Sequence, residues 1–297
     1  MESKNTNGNK EKQEDQEKIF TELTEKEKYR YNRQTLLSEY GLEGQIKLKN
    51  SKVVIIGAGG LGSSCIMHLA GSGVGKMCII DNDVVDEQNL HRQVIHNVNN
   101  IGMNKALSAK KFVNLLNSNV EVIALNESFT NKNALKLCQN YDIIIDCCDN
   151  PKTRFLINDV AVLLDKPFIS AASVRWDGQI GVYVKNCKGE KLPCYRCLNP
   201  KAPLKENVKK CSQVGVIGTL PAIMGTLEAN ETIKFILGKD EQILQKKILI
   251  FDGYDNKIKV MKTRNFKDDC IVCGKNKKIN ADNISEYDYD LFINGKI

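Results

Sequence analysis

No uninterrupted apolar run in the 297-residue chain approaches the roughly 18 residues that a membrane-spanning helix needs. No apolar stretch follows a basic start either, so a secretory signal is not expected. Apolar side chains are nearly absent from the opening MESKNTNGNKEKQEDQEK, which cannot bury enough surface to offset the entropy of ordering; residues 1–22 are expected to be a disordered tail. There is no internal repeat of about 20 to 50 residues, which argues against solenoids and propellers, and no RNA-binding signature. Histidine occurs three times, at 68, 91 and 96, without metal-ligand spacing. An odd cysteine total, 11, does not suit a complete disulfide framework. Together these absences favour a cytoplasmic protein with reduced thiols, no membrane and no direct nucleic-acid binding. The net charge of +7 comes from Lys and Arg scattered among many acids, as on a solvated surface.

The chain is 42% hydrophobic and long enough for one substantial core, expected over residues 23–278, with 279–297 as a short C-terminal tail. Thr24-Glu25-Lys26-Glu27 has capping-box spacing and opens a helix that carries Arg30 and Arg33, with Leu23 placed as a hydrophobic staple. Lys52 to Ile56 has strand length and ends in glycines, and Ser63 to Gly71 has helical content. Met77 to Ile80 and Asp142 to Asp146 are further strands. Alternating strands and helices predict an α/β fold, a Rossmann-like and mainly parallel sheet with helices on both faces.

Gly57-Ala58-Gly59-Gly60-Leu61-Gly62 fits G-x-G-x-x-G between a strand and a helix. Gly57, Gly59, Gly60 and Gly62 would let the backbone bend tightly and approach a phosphate at the helix start, and Asp81 lies where a ribose-binding acid belongs. The fingerprint alone does not separate ATP from NAD. The charges that follow favour ATP: Arg92 and Lys105 suit an α-phosphate and a leaving pyrophosphate, and Asp149, at a strand's carboxyl end, suits Mg²⁺. An NAD-dependent oxidoreductase would leave the segment Asn89 to Gln93 unexplained.

Cys194-x-x-Cys197 and Cys270-x-x-Cys273 form two pairs in Pro-, Gly- or Lys-flanked segments. Four thiolates at this spacing suit a tetrahedral structural Zn²⁺ clamping the C-terminal portion to the Cys194 region. Cys211 stands apart, beside Lys209 and Lys210, which would favour its thiolate if the site is exposed. Cys147 and Cys148 sit at a strand end and are expected to be packing residues.

From about Leu23 to Lys275 the chain resembles the MoeB/ThiF adenylyltransferases, which are similar to ubiquitin-activating enzymes. The resemblance is carried by Arg30-Tyr-Asn-Arg33-Gln34, the glycine loop, Asn89-Leu-His-Arg92-Gln93, Asp146-Cys-Cys-Asp149-Asn150 and the paired cysteines. It implies ATP-dependent adenylation of the C-terminal carboxylate of a ubiquitin-like sulfur carrier ending in Gly-Gly. Gly60 would contact the phosphates and Asp81 the ribose. Gln88, Asn89, Leu90, His91, Arg92 and Lys105 would take part in nucleotide binding, and Asp149 would hold magnesium beside Asn150. Arg33 resembles the arginine that such enzymes insert into the neighbouring subunit's site, which implies a homodimer. Cys211 matches the cysteine proposed to bond the carrier as a thioester or mixed disulfide. Relatives often carry a rhodanese-like domain; the sequence is too short for one, so the expectation is either a separate sulfurtransferase or a chain that stops at adenylation. A non-catalytic partner subunit predicts losses among the charged residues, yet Arg33, Arg92, Lys105 and Asp149 are all present. An enzyme adenylating a small carboxylate on tRNA would generally lack the paired cysteines.

Overall fold

The computed structural model describes residues 22–203 and 214–296. The expected N-terminal tail, but for residue 22, and Cys211 lie outside the described residues. Helix α1 (Glu25–Thr35) begins as its sequence requires: the Thr24 hydroxyl accepts from the Glu27 N–H at 3.2 Å, and Glu27 accepts from the Thr24 N–H at 2.8 Å. Two orphan donors are thereby satisfied reciprocally. Leu23 is buried in front of the cap. Helix α2 (Gly41–Asn50) leads into the sheet.

The first half alternates as expected: β1 (Lys52–Ile56), α3 (Gly60–Ser72), β2 (Lys76–Ile80), α4 (Lys105–Leu116), β3 (Glu121–Leu125), α5 (Ala134–Cys138), β4 (Ile143–Asp146), α6 (Pro151–Leu163) and β5 (Phe168–Val174). These five strands are parallel in the order β3-β2-β1-β4-β5. Then come β6 (Asp177–Tyr183), α7 (Tyr195–Leu198), α8 (Thr219–Ile236), β7 (Lys247–Asp252), β8 (Lys257–Lys262) and α9 (Tyr289–Ile293). Strands β6, β7 and β8 extend the sheet antiparallel beyond β5.

Alternation along β1 divides the core. Val53 and Ile55 join the cluster under α3, α4 and α8, whereas Val54 and Ile56 join the cluster under α5, α6 and the C-terminal segment. Both sets are buried, as a central parallel strand demands, and each such side chain contributes about 1.5–3 kcal/mol. Helix α8 lies tight on α3 because a side chain at Gly225 would sit 2.1 Å from the Leu61 carbonyl oxygen.

The segment after residue 278, expected as only a short tail, is instead docked. Ile279, Ile284, Tyr289 and Phe292 are buried, the Tyr289 hydroxyl donates to Asp159 at 2.8 Å, and the Arg196 guanidinium lies 4.3 Å from the Phe292 ring centre. These apolar residues are spaced irregularly among Asn and Asp and show no helical or strand period. Among the described residues no helix is long and apolar enough to cross a membrane.

Candidate active site

A cleft of about 560 Å³ opens at the carboxyl ends of β1, β2 and β4. This is the topological switch of the sheet, where β1 has β2 on one side and β4 on the other. Gly57, Gly59 and Gly60 line it. Gly57 has φ +99°, and a side chain on Gly62 would sit 2.2 Å from the Gly57 oxygen; Gly62 therefore lets the loop close onto its helix rather than facing the cleft. Helix α3 has no capping side chain at Gly59, so first-turn N–H groups remain for an anionic ligand.

Asp81, Arg92 and Lys105 line the same cleft, Arg92 close beside Gly60, where an added side chain would meet its Cγ at 3.5 Å. Asp81 accepts from the Ala58 N–H at 2.7 Å and the Asp83 N–H at 2.8 Å. Burial raises its carboxyl above the ordinary aspartate value, and those bonds together with Lys105 oppose the rise. Lys105, 6% exposed, donates to Asp83 at 2.8 Å at the start of α4. Arg92 is braced by Asn89 at 2.6 Å and His91 at 2.7 Å. Gln88 bonds Asp86 instead, and Gln88, Asn89, Leu90 and His91 are not among the lining residues. Asp149 lines the cleft with an exposed side chain, and Asn150 lines it while capping α6, its side chain accepting from the Thr153 N–H at 2.8 Å. Arg33 is exposed on α1 and does not line the cleft.

Sequence reasoning missed Arg154. Its Nε donates to Asp146 at 2.7 Å, and its Nη2 donates to the carbonyls of Cys148 at 3.0 Å and Ala171 at 2.9 Å. The Ser170 hydroxyl donates to the same Asp146 oxygen at 2.7 Å. This buried pair ties the ends of β4 and β5 together beneath Asp149 and leaves Asp146 engaged. Only the sheet brings these partners together, and nothing local separates Arg154 from a surface helix arginine. Asn104, also missed, caps α4 and donates to the carbonyls of Asp81 and Asp83 at 2.7 and 3.0 Å.

Away from the cleft, Cys194, Cys197, Cys270 and Cys273 converge, their sulfurs all within 4.8 Å of one another. Sulfur–sulfur separations of 3.8, 3.6 and 3.3 Å compare with about 3.8 Å between thiolates at tetrahedral Zn²⁺. The donor set and geometry therefore suit a closed tetrathiolate centre. Cys147 and Cys148 are buried, and burial holds both thiols well above the usual value, so they behave as packing groups. Glu228 is also buried; its carboxyl is pushed well above the usual range by burial and by Asp146.

The ThiF family signature matches residues 31–272. The chain is 43% identical over 264 residues to the adenylyltransferase and sulfurtransferase MOCS3 of Culex quinquefasciatus, covering 89% of this chain and 59% of that protein. It is 42% identical over 281 residues to the adenylyltransferase and sulfurtransferase UBA4 of Candida albicans, covering 93% of this chain and 63% of that one. It thus spans about three fifths of the length of these curated relatives. Among solved structures, E. coli MccB with MccA-N7isoASN superimposes with a TM-score of 0.73 at 29% identity, covering 83% of this chain and 75% of that one. MccB with ATP gives 0.69 at 28%, covering 82% and 74%. With a family match across most of its length and the glycine loop, the switch-point cleft and the cysteine cluster in place, the chain belongs to the ThiF family.

Proposed function

We propose that this chain adenylates the C-terminal glycine carboxylate of a ubiquitin-like sulfur carrier, using ATP and releasing pyrophosphate. The observation that carries this is the cleft itself, lined together by the glycine loop, Asp81, Arg92 and Lys105. Support comes from relatives named adenylyltransferase and sulfurtransferase and from the structural likeness to MccB with ATP.

The carrier's carboxylate, ionised at neutral pH, needs no general base and attacks the α-phosphorus in line once aligned. Gly60 and the first turn of α3 hold the phosphates, Asp81 takes the ribose hydroxyls, and Arg92 and Lys105 offset charge on the α-phosphate and departing pyrophosphate. Asp149 is the carboxylate that fits Mg²⁺, since it is exposed in the cleft while Asp146 is engaged by Arg154; the ion would offset charge on the phosphate oxygens. Attack of the Cys211 thiolate on the acyl-adenylate carbonyl would displace AMP and give a thioester; attack instead by the outer sulfur of a persulfide on Cys211, loaded by a separate sulfurtransferase, would displace AMP and give a mixed (acyl) disulfide. The paired cysteines hold Zn²⁺ structurally, because four sulfurs leave no open position for chemistry. A homodimer, with Arg33 reaching the neighbouring site, and a cytoplasmic location belong to the same proposal.

ATP–pyrophosphate exchange tests it with candidate carriers ending in Gly-Gly. Carrier-dependent exchange that Asp149→Ala abolishes and Cys211→Ala retains is expected. Absence of exchange with every carrier would overturn adenylation.

A further inference from the structure

The two walls of the phosphate site come from different chain segments, and one buried side chain joins them. His96, 5% exposed, places Nε2 2.9 Å from the Ala58 carbonyl oxygen in the glycine loop and Nδ1 2.8 Å from the Ser108 hydroxyl on α4. A carbonyl can only accept, so Nε2 carries the proton and Nδ1 accepts from the Ser108 O–H. Burial holds the imidazole below its ordinary value, in keeping with this neutral tautomer. Ala58 is then fixed at both ends, its N–H by the Asp81 carboxylate at 2.7 Å and its C=O by His96. Held at both its N–H and its C=O, Ala58 constrains the peptides that follow, and Gly59 and Gly60 line the cleft. Ser108 lies one turn beyond Lys105 on α4, and the whole bridge sits behind the lining rather than in it.

We propose that His96 is a positioning residue for the nucleotide's phosphates, a strut that fixes the Gly57–Gly60 cradle at one distance and angle from the α4 start bearing Lys105. The inference rests on the ATP reading above and adds to it a residue that never touches the ligand. In His96→Leu both hydrogen bonds are lost and the Ala58 carbonyl is left buried without a partner, so the loop relaxes away from Lys105. His96→Gln keeps a neutral donor and acceptor with about the same separation. Ser108→Ala removes only the α4 end.

Calorimetric titration of the full chain with ATP and, separately, with adenosine distinguishes positioning from general loosening. His96→Leu is expected to weaken ATP about tenfold, with adenosine affinity within about twofold of wild type, because only the phosphates span the two walls. His96→Gln should stay within about threefold for ATP, and Ser108→Ala should fall between. If His96→Leu does not fold, His96→Gln and Ser108→Ala still decide the matter: Ser108→Ala binding ATP as wild type does would overturn the strut. Equal weakening of ATP and adenosine, or unchanged ATP affinity in His96→Leu, would overturn it too. A wild-type chain that binds neither ligand would instead contradict the nucleotide reading on which the inference stands.

Discussion

Lys105 shows how one residue's placement decides its use. The residue is 6% exposed yet lines the cleft, and its ammonium is held 2.8 Å from Asp83, so much of its desolvation is already met when a phosphate arrives. Lys105→Ala is expected to lower the exchange rate about 100-fold or more, within the range for losing one preorganised donor to developing charge, as steady-state kinetics will show. Glu228 makes a different prediction, about stability. Its folded value lies well above that of the unfolded chain, so below about pH 4 both states are protonated and it costs nothing. As pH rises past the unfolded value, only the unfolded state ionises, and stability falls by about 1.4 kcal/mol per pH unit until the folded value is reached. Glu228→Gln should therefore raise the thermal midpoint more at pH 8 than at pH 5, and melting curves across that range check it. At this scale the glycine loop, Asp81, Arg92, Lys105 and the paired cysteines were legible, because each sits in a short local pattern. Arg154, Asn104 and His96 were not. Their roles arise from carbonyls and carboxylates that only the folded sheet brings within reach.

Among the elements, β1, β2 and β4 could be read from apolar runs punctuated by glycine or aspartate. Helix α3 begins at Gly60, three residues before the expected Ser63, because the fingerprint glycines themselves form its first turn. Strand β3 escaped notice, since Glu121–Leu125 is a short run on an edge, only partly buried. The antiparallel extension carries no distinctive pattern; β8, with every residue exposed, has no core face to read. The C-terminal segment yields a prediction of its own. Arg196, between the two cysteines of one pair, donates to Asp159 at 2.7 Å through both Nε and Nη2, and Tyr289 donates to the same carboxylate. Arg196→Leu strands a buried carboxylate and is expected to cost about 3–5 kcal/mol, measured by denaturant unfolding. If the cysteine cluster holds the proposed Zn²⁺, chelation should likewise loosen residues 279–296, seen as faster amide exchange there than in β1.

For the molecule as a whole, exposed apolar side chains include several on α1, the turn after it and the excursion between β2 and α4, as well as others on β8 and its turn. Leu36 is 69% exposed, Leu37 56%, Val94 53% and Val98 64%. Leu36 and Leu37 directly follow the helix that carries the exposed Arg33, in keeping with the proposed homodimer. Mixing Arg33→Ala with Lys105→Ala protein, each nearly inactive alone, should restore about a quarter of wild-type exchange if Arg33 serves the neighbouring site, because half the dimers then hold one intact site. Failure to complement would contradict action in the neighbouring site and assign Arg33 to its own subunit. Carboxylate adenylation itself is tested most directly by the intact mass of a Gly-Gly carrier after incubation with Mg-ATP, pyrophosphatase and this chain, quenched in acid. The expected result is a carrier heavier by one adenylyl group, absent when the carrier ends in an amide or when Asp149→Ala replaces wild type; a carrier of unchanged mass under every condition would contradict it.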